Sequence, residues 1–171
     1  MEKIKIAVNG YGVIGKRVAE AVTLQEDMEL VGIGDVAADW RIKAAAAKGY
    51  AVFANTEEGR KTMREKHIPV AGELADLVVD CAPKKFGTQN AERYKTAGVK
   101  FIVQGGEKHE TTGHSFSAEN NYASALNRES TRVVSCNTTS IVRTLSALKR
   151  AGLLNKARGT LLRRATDPWE S

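Results

Sequence analysis

Cysteine is scarce in this sequence, because only Cys81 and Cys136 occur in 171 residues. The N-terminal segment MEKIKIAVNG has an apolar run too short for an export signal. Two distant cysteines without such a signal exclude a disulfide-stapled scaffold and favour a reducing compartment, so we predict a cytoplasmic protein. With only three scattered histidines, no metal-ligand spacing is present and no metal site is predicted.

Long apolar runs are also missing. No stretch approaches 18 consecutive apolar residues, so the sequence predicts no membrane span. It contains no internal repeat and no low-complexity linker. Hydrophobic residues nevertheless make up 42% of the chain, enough for a buried core, and charged residues make up 27%. The length suits one domain and the start of a second.

The formal net charge of +6 leaves three interpretations open. The first is a solvated basic surface, and the second is an anionic small ligand such as a dinucleotide or a sugar phosphate. The third, nucleic acid, is least favoured because the Lys and Arg residues are scattered and no cluster has interleaved aromatics. We therefore predict neither nucleic acid nor a membrane as a partner.

Apolar runs of strand length alternate with helical patterns, which indicates βαβ units. The predicted fold class is α/β, with a Rossmann-type doubly wound, mostly parallel sheet. Strands are predicted at Ile4 to Val8, Leu30 to Ile33, Tyr50 to Phe53, Leu77 to Cys81, Phe101 to Val103, Ser115 to Ala118, Arg132 to Ser135 and Thr160 to Arg163. Helices are predicted around Ile14 to Val22, Trp40 to Lys48, Asn55 to Lys66, Thr88 to Lys95, Asn121 to Leu126 and from Cys136 to near Gly152, with a loop over residues 105 to 114.

A glycine-rich motif follows the first predicted strand directly. It reads Gly10-Tyr11-Gly12-Val13-Ile14-Gly15 and opens an amphipathic helix, which is the context of a dinucleotide-binding turn. In that turn Gly10 permits the tight bend, Gly12 lets a pyrophosphate approach the backbone, and Gly15 lets helix and strand pack closely. The free N–H groups of the helix N-terminus favour phosphate. The alternative is a strand–helix turn without a ligand.

Asp35 closes the second predicted strand, about 20 residues beyond the motif, where an acid can bind the adenosine ribose hydroxyls. Such an acid favours NAD and repels the 2′-phosphate of NADP. A solvated loop acid is the alternative.

Cys136 stands between an apolar run and a helical pattern, in the segment VVSCNTTSIV. Free N–H groups at a helix N-terminus favour a thiolate and can hold an oxyanion, so the position suits a nucleophile. A buried, inert thiol is the alternative. Cys81 ends an apolar strand beside Pro83, which predicts a core residue.

The histidines His67, His109 and His114 are the candidate general bases. None has a spacing from Cys136 that predicts contact, and a surface position is the simpler interpretation for all three.

The segments KIAVNGYGVIGKRVAEAV, QGGEK, RVVSCNTTSIVRTL and RRATDP resemble, in this order, the archaeal type of phosphorylating glyceraldehyde-3-phosphate dehydrogenase. The resemblance covers essentially the whole chain and is most specific around Cys136. It implies a dinucleotide-binding domain over residues 1–136 and the truncated start of an α+β catalytic domain over residues 137–171. It also implies a homo-tetramer, with NAD as the cofactor and NADP as the alternative.

The resemblance further implies a reaction on glyceraldehyde 3-phosphate. The Cys136 thiolate attacks the aldehyde to give a hemithioacetal, hydride passes to the nicotinamide, and inorganic phosphate cleaves the resulting thioester. Asn137, Gln104 and Gly105 are then expected beside the cofactor. Phosphate oxygens are expected at Thr138, Thr139, Arg163 and Arg164.

This sequence departs from the family pattern in two places. Gly34 and Asp35 stand where many members have Thr and Lys, which predicts a shift from NADP towards NAD. The chain is also expected to be an N-terminal portion, because the family's general-base histidine belongs to a later segment. Two alternatives to the dehydrogenase remain, namely a dinucleotide-binding module without catalysis and an enzyme similar to aspartate-semialdehyde dehydrogenase.

Overall fold

The computed structural model describes residues 2–68, 75–83 and 85–162. Strands run over Ile4–Asn9 (β1), Met28–Asp35 (β2), Val52–Ala54 (β3), Leu77–Asp80 (β4), Lys100–Val103 (β5), Ser115–Phe116 (β6) and Ser130–Val133 (β7). Helices run over Val13–Thr23 (α1), Trp40–Ala47 (α2), Glu57–Glu65 (α3), Phe86–Thr96 (α4), Ala118–Ala125 (α5) and Cys136–Arg150 (α6). Within the described ranges, no helix is long and apolar enough to cross a membrane.

The seven strands form one sheet in the order β3-β2-β1-β4-β5-β7-β6, and every pair is parallel. The order reverses between β1 and β4, where Asn9 lies opposite Asp80. In doubly wound folds, ligands bind in the crevice at the carboxyl ends of the strands beside such a reversal. The α/β prediction is confirmed, and the sheet is parallel throughout the part that the structure describes.

The main hydrophobic core fixes the first half of the sheet. Val8, Ile33 and Val52 are fully buried on neighbouring strands and pack with Ala19 of α1 and Ile42 of α2. A smaller cluster joins Ala91 of α4 to β5 through Phe101 and Val103. By contrast, α6 has no buried residue.

Polar residues define the starts of two helices. Asp39 caps α2, since its carboxylate accepts hydrogen bonds from the N–H groups of Arg41 at 2.9 Å and Ile42 at 3.4 Å. Thr56 caps α3 by accepting from the N–H of Gly59 at 3.0 Å. The sequence predicted that this helix opens at Asn55, but the Asn55 amide instead donates to Oδ1 of Asn9 at 2.6 Å.

Three further local predictions need correction. The strand predicted over Ser115 to Ala118 ends at Phe116, and Ala118 already begins α5. The predicted loop over residues 105 to 114 contains a short 3-10 helix at His109–Thr111. Residues 160 to 162 are not in a strand, and Arg163 lies outside the described residues.

Candidate active site

A cleft of about 1500 Å³ opens at the carboxyl edge of the sheet. Segments that follow four of the strands contribute residues to its lining. The lining includes Ile14 after β1, Ala82 after β4, Gln104 and Gly105 after β5, and Cys136 after β7. Segments far apart in the sequence therefore meet in one cavity, as expected for a parallel sheet whose chemistry-bearing loops share an edge.

The glycine turn after β1 has the geometry that its sequence predicts. Gly10 has φ of +85° and its N–H donates to the carbonyl of Gly34 at 2.7 Å, which makes the tight bend. A Cβ at Gly15 would overlap the carbonyl oxygen of Gly10, so α1 can approach the turn only with glycine there. A Cβ at Gly12 would have no atom within 4 Å. Gly10 thus makes the tight bend and Gly15 lets α1 lie against the turn, while the space beside Gly12 is open.

The other residues of the turn divide between the core and the surface. The Tyr11 side chain is buried in the main core and packs edge-on against Tyr50, with ring centroids 6.5 Å apart, and burial raises its pKa. Val13 and Ile14 are instead 61% and 52% exposed. Tyr11 can therefore meet a ligand only through its backbone, whereas Val13 and Ile14 offer apolar side chains at the start of α1.

Asp35 connects the end of β2 to this turn. Its Oδ2 accepts from the N–H of Tyr11 at 2.7 Å, and its Oδ1 accepts from the N–H of Ala37 at 2.9 Å. These bonds fix the carboxylate beside the glycine turn, so it is not a freely solvated loop acid. Each oxygen accepts one of these bonds and retains capacity for another donor.

Cys136 is the first residue of α6 and is exposed to the cleft. Ser135 caps the helix, because its Oγ accepts from the N–H of Thr138 at 3.2 Å and its carbonyl accepts from the N–H of Thr139 at 2.8 Å. The N–H groups of Cys136 and Asn137 precede these bonds and have no intrahelical acceptor, so they present positive partial charge beside the thiol. The geometry therefore places the thiol where a nucleophile and a developing oxyanion could both be supported.

Cys81 has a different environment. Its side chain packs against the main core, and burial raises the pKa of the thiol to about 12. It lines the same cleft as Cys136 but is only partly accessible. The core position predicted for Cys81 is confirmed.

The remaining predicted site residues differ in whether they line the cleft. Thr139 lines the cleft and is half-buried; Asn137 is half-buried and Thr138 is exposed, and neither is part of the cleft lining. Arg163 and Arg164 lie outside the described residues. Among the residues that the structure describes, no group of three or more His, Cys, Asp or Glu side chains is placed to hold a metal ion.

None of the three histidines lines the cleft that contains Cys136. His67 and His109 are exposed, but His114 is 7% exposed, so the surface interpretation is wrong for it. Its Nδ1 lies 2.6 Å from Oγ1 of Thr131 and its Nε2 lies 2.9 Å from Oγ of Ser124. Because Ser124 donates to the Asn121 carbonyl at 2.8 Å, Nε2 must carry the proton shared with Ser124. Burial, together with the positive charge of Arg128, lowers the pKa of His114 and favours this neutral form.

Asp80 is a buried residue behind the cleft that the sequence pattern did not single out. It is 1% exposed at the end of β4, and its Oδ2 accepts from Asn9 at 3.0 Å, Asn90 at 2.9 Å and Tyr94 at 2.7 Å. Its Oδ1 accepts from the N–H of Ala82 at 2.9 Å. Asp80 therefore ties β1, α4 and one wall of the cleft together. Its position at the end of an apolar strand, like that of Asp35, was the available signal.

Comparison with protein families gives a match over residues 4–106. The family described as "Glyceraldehyde 3-phosphate dehydrogenase, NAD binding domain" matches residues 4–106. A glyceraldehyde-3-phosphate dehydrogenase from Methanococcoides burtonii is 48% identical over 99% of this chain and 52% of its own length. One from Methanosarcina mazei is 49% identical over 98% of this chain and 52% of its own length. The chain thus spans about half the length of these curated relatives.

Solved structures share the fold at lower identity. The WlbA dehydrogenase from Bordetella pertussis, solved in complex with NADH and UDP-GlcNAcA, has a TM-score of 0.56 and 19% identity. That match covers 88% of this chain and 40% of the other. An apo scyllo-inositol dehydrogenase from Lactobacillus casei has a TM-score of 0.54 and 18% identity over the same shares. At this identity, the likeness extends to the fold alone.

Proposed function

This chain belongs to the glyceraldehyde 3-phosphate dehydrogenase family, and on that premise we propose that it binds NAD and supplies the nucleophile for phosphorylating oxidation of glyceraldehyde 3-phosphate. The observation that carries the proposal is the shared cleft. It brings Ile14 of the glycine turn, Gln104 and Gly105 after β5, and Cys136 at the start of α6 to one edge of the sheet.

The residues around the glycine turn fit a dinucleotide. The open space beside Gly12 and the N-terminus of α1, which no side chain caps, suit the pyrophosphate. We assign Gly10, Tyr11, Gly12, Val13, Ile14 and Gly15 to this part of the cofactor site. Gln104, Gly105 and Asn137 are assigned to the nicotinamide end. When bound, NAD supplies the hydride acceptor for aldehyde oxidation.

Asp35 is assigned to the adenosine ribose and to the preference for NAD over NADP. Its carboxylate is fixed by the N–H groups of Tyr11 and Ala37 and can accept further bonds from ribose hydroxyls. A 2′-phosphate at the same place would meet a like charge. Titration of the chain with both cofactors tests this assignment, with tighter binding of NAD expected. A preference for NADP above about tenfold would contradict it.

Cys136 is assigned to attack on the aldehyde carbon. Its sulfur forms the new C–S bond while the aldehyde oxygen gains the negative charge, which the first N–H groups of α6 can stabilise. Thr138 and Thr139, with Arg163 and Arg164 beyond the described residues, are proposed to bind phosphate oxygens of the substrate and of inorganic phosphate.

The test compares two aldehydes and two proteins. This chain, and this chain joined to the C-terminal half of the Methanococcoides burtonii relative, are assayed with NAD and inorganic phosphate. We expect NADH formation by the joined protein with glyceraldehyde 3-phosphate and none with aspartate semialdehyde. The variant Cys136→Ser is the matched control and should abolish the activity. The reverse substrate preference would favour the aspartate-semialdehyde alternative.

A second candidate applies to the chain taken alone, namely NAD binding without efficient turnover. It is favoured by the histidines, none of which lines the cleft with Cys136. We expect the isolated chain to bind NAD but to transfer hydride poorly, since none of its three histidines lines this cleft to act as the general base. A rate equal to that of the joined protein would contradict this candidate.

The domain boundary, the compartment and the assembly belong to the same proposal. We propose a cofactor domain over residues 1–136 and a catalytic domain that begins at residue 137, so the boundary falls within the first turn of α6. Two free cysteines suit a reducing compartment such as the cytoplasm. A homo-tetramer is the assembly that the family resemblance implies, and light scattering of the joined protein tests it.

A further inference from the structure

Glu107 is a buried carboxyl group that the proposed reaction does not use. Its residue is 6% exposed, directly after the Gln104-Gly105-Gly106 segment that borders the cleft. The N–H groups of Gly105 and Glu107 lie near enough to favour the charged form, but no hydrogen bond of normal geometry from a described residue reaches either oxygen. Burial is the stronger effect and raises the pKa of Glu107. Burying a carboxyl group without hydrogen bonds costs folding free energy, so we expect Glu107 to have a role in positioning its neighbours.

The carboxyl group lies between the start of α4 and the loop after β5. A Cβ at Gly87, the second residue of α4, would overlap Oε1 of Glu107. A Cβ at Gly105 would come within 2.9 Å of the same oxygen and would overlap the carbonyl oxygen of Ala82. The glycines at both positions therefore leave the space that the Glu107 side chain occupies.

The start of α4 has no side-chain cap of its own among the described residues. Its first turn contains no acid, and its N-cap residue, Lys85, makes no side-chain cap. A carboxylate beside the N-terminal turn of a helix interacts favourably with the helix dipole. The Glu107 side chain reaches this turn from another part of the chain, so its packing beside Gly87 joins the loop after β5 to α4.

The backbone of Glu107 makes a second connection. Its carbonyl accepts from Nη1 of Arg132 at 2.9 Å, and Nε of Arg132 donates to Oγ of Ser115 at 2.7 Å. Arg132 belongs to β7, which leads into Ser135 and Cys136. Glu107 is thus linked to three segments that border the cleft, those after β4, after β5 and after β7.

From this arrangement we propose that Glu107 is a positioning residue that holds the Gln104–Gly106 segment in place as the wall of the nicotinamide half of the cleft. The inference rests on the proposed function. The ring that accepts hydride must lie beside the substrate on Cys136, and the Gln104–Gly106 segment borders that end of the cleft. Asp35 lies instead beside the glycine turn, where the adenosine half is assigned.

The test separates the two halves of the cofactor by calorimetric titration of the chain with NAD and with ADP-ribose, which lacks nicotinamide. We expect Glu107→Ala to weaken NAD about fivefold while the Kd for ADP-ribose stays unchanged. Glu107→Asp keeps the charge but shortens the reach, so it should give the same selective loss at about threefold. Glu107→Gln keeps the length and shape of the side chain, so it should retain most of the affinity for NAD. Asp35→Asn is the matched control at the other end and should weaken both ligands equally.

Three other results of the titrations would contradict the positioning role of Glu107 or the proposed function. If Glu107→Ala and Glu107→Asp leave both affinities unchanged, or weaken both equally, the positioning role is wrong. If neither variant folds, Glu107 is a residue of the general fold and the inference is also wrong. If the unsubstituted chain binds neither NAD nor ADP-ribose, the proposed function itself fails, and the inference fails with it.

Discussion

The turn between β1 and α1 and the turn between β7 and α6 lie at the same edge of the sheet, yet they are built differently. The first contains glycines, and its N-cap residue Gly12 gives α1 no side-chain cap. The second contains no glycine, and Ser135 caps α6 with its hydroxyl. The first turn leaves backbone open to a ligand, whereas the second presents a reactive side chain.

The two helices differ in the same way. Gly15, Ala19 and Val22 of α1 are buried, so that helix is fixed by the core. No residue of α6 is buried, and Ile141 and Leu148 are 37% and 39% exposed. The turn between β1 and α1 is therefore held rigid because α1 is packed on the sheet. The conformation of the turn between β7 and α6 depends instead on the local cap that Ser135 provides.

The largest expected difference concerns the thiols beside the two turns. At pH 8, a Cys81 thiol with a pKa of about 12 is ionised in only about one molecule in ten thousand. Cys136 is exposed, so we expect iodoacetamide to modify it about a thousandfold faster than Cys81. Peptide mapping by mass spectrometry measures both rates, with Cys136→Ser as the control that should show no fast phase. Modification rates of Cys81 and Cys136 within about tenfold of each other would contradict the expected difference between the two thiols.

Adding a methyl group should have different effects at Gly12 and Gly15 of the first turn. Gly15→Ala would overlap the carbonyl oxygen of Gly10, so we expect a loss of about 3 kcal/mol in the free energy of unfolding. Gly12→Ala is the matched control, because it meets no atom within 4 Å and should change stability by less than about 1 kcal/mol. Urea unfolding measures both. Gly12→Ala should instead weaken NAD, and equal stability losses for the two variants would refute the steric argument.

Removing a cap tests whether α6 is coupled to the core. Ser135→Ala should cost about 1 kcal/mol locally, so we expect faster hydrogen exchange at the start of α6 and little change in Tm. Asp39→Ala removes the cap of α2, whose Ile42 and Ala45 are buried, and should lower Tm by about 3 °C. A fall in Tm for Ser135→Ala as large as that for Asp39→Ala would indicate that α6 is as firmly packed as α2.

The smallest expected effect is a pH dependence of the free energy of unfolding that arises from Glu107. This residue lies in the sequence between the glycine turn and the cysteine turn. Burial raises its pKa in the folded chain above the value near 4.5 of an unfolded one, so the folded state binds more protons in that interval. Stability should therefore fall as pH rises from about 4.5 through the raised pKa, and should then level off. Glu107→Gln should lack this component when denaturant unfolding is measured against pH. An identical pH profile in the variant would contradict the assignment.

Much of the first turn could be predicted because its signals are local. Gly10, Gly12 and Gly15 follow an apolar strand at fixed spacing, and the acid at Asp35 closes the next strand. The parallel sheet followed from the alternation of strand and helix patterns. The start of α3 was misplaced because Asn55 and Thr56 are both capping residues, and only the contact of Asn55 with Asn9 distinguishes them.

The sequence by itself determined the α/β class, the glycine turn and the candidate nucleophile, because each depends on neighbours along the chain. Only the tertiary structure decided that Asp80, Glu107 and His114 are buried. Their partners lie far away in sequence, as Asn9 does from Asp80 and Arg132 from Glu107. Burial of a polar side chain is set by which distant segments pack around it, and no local pattern encodes that packing.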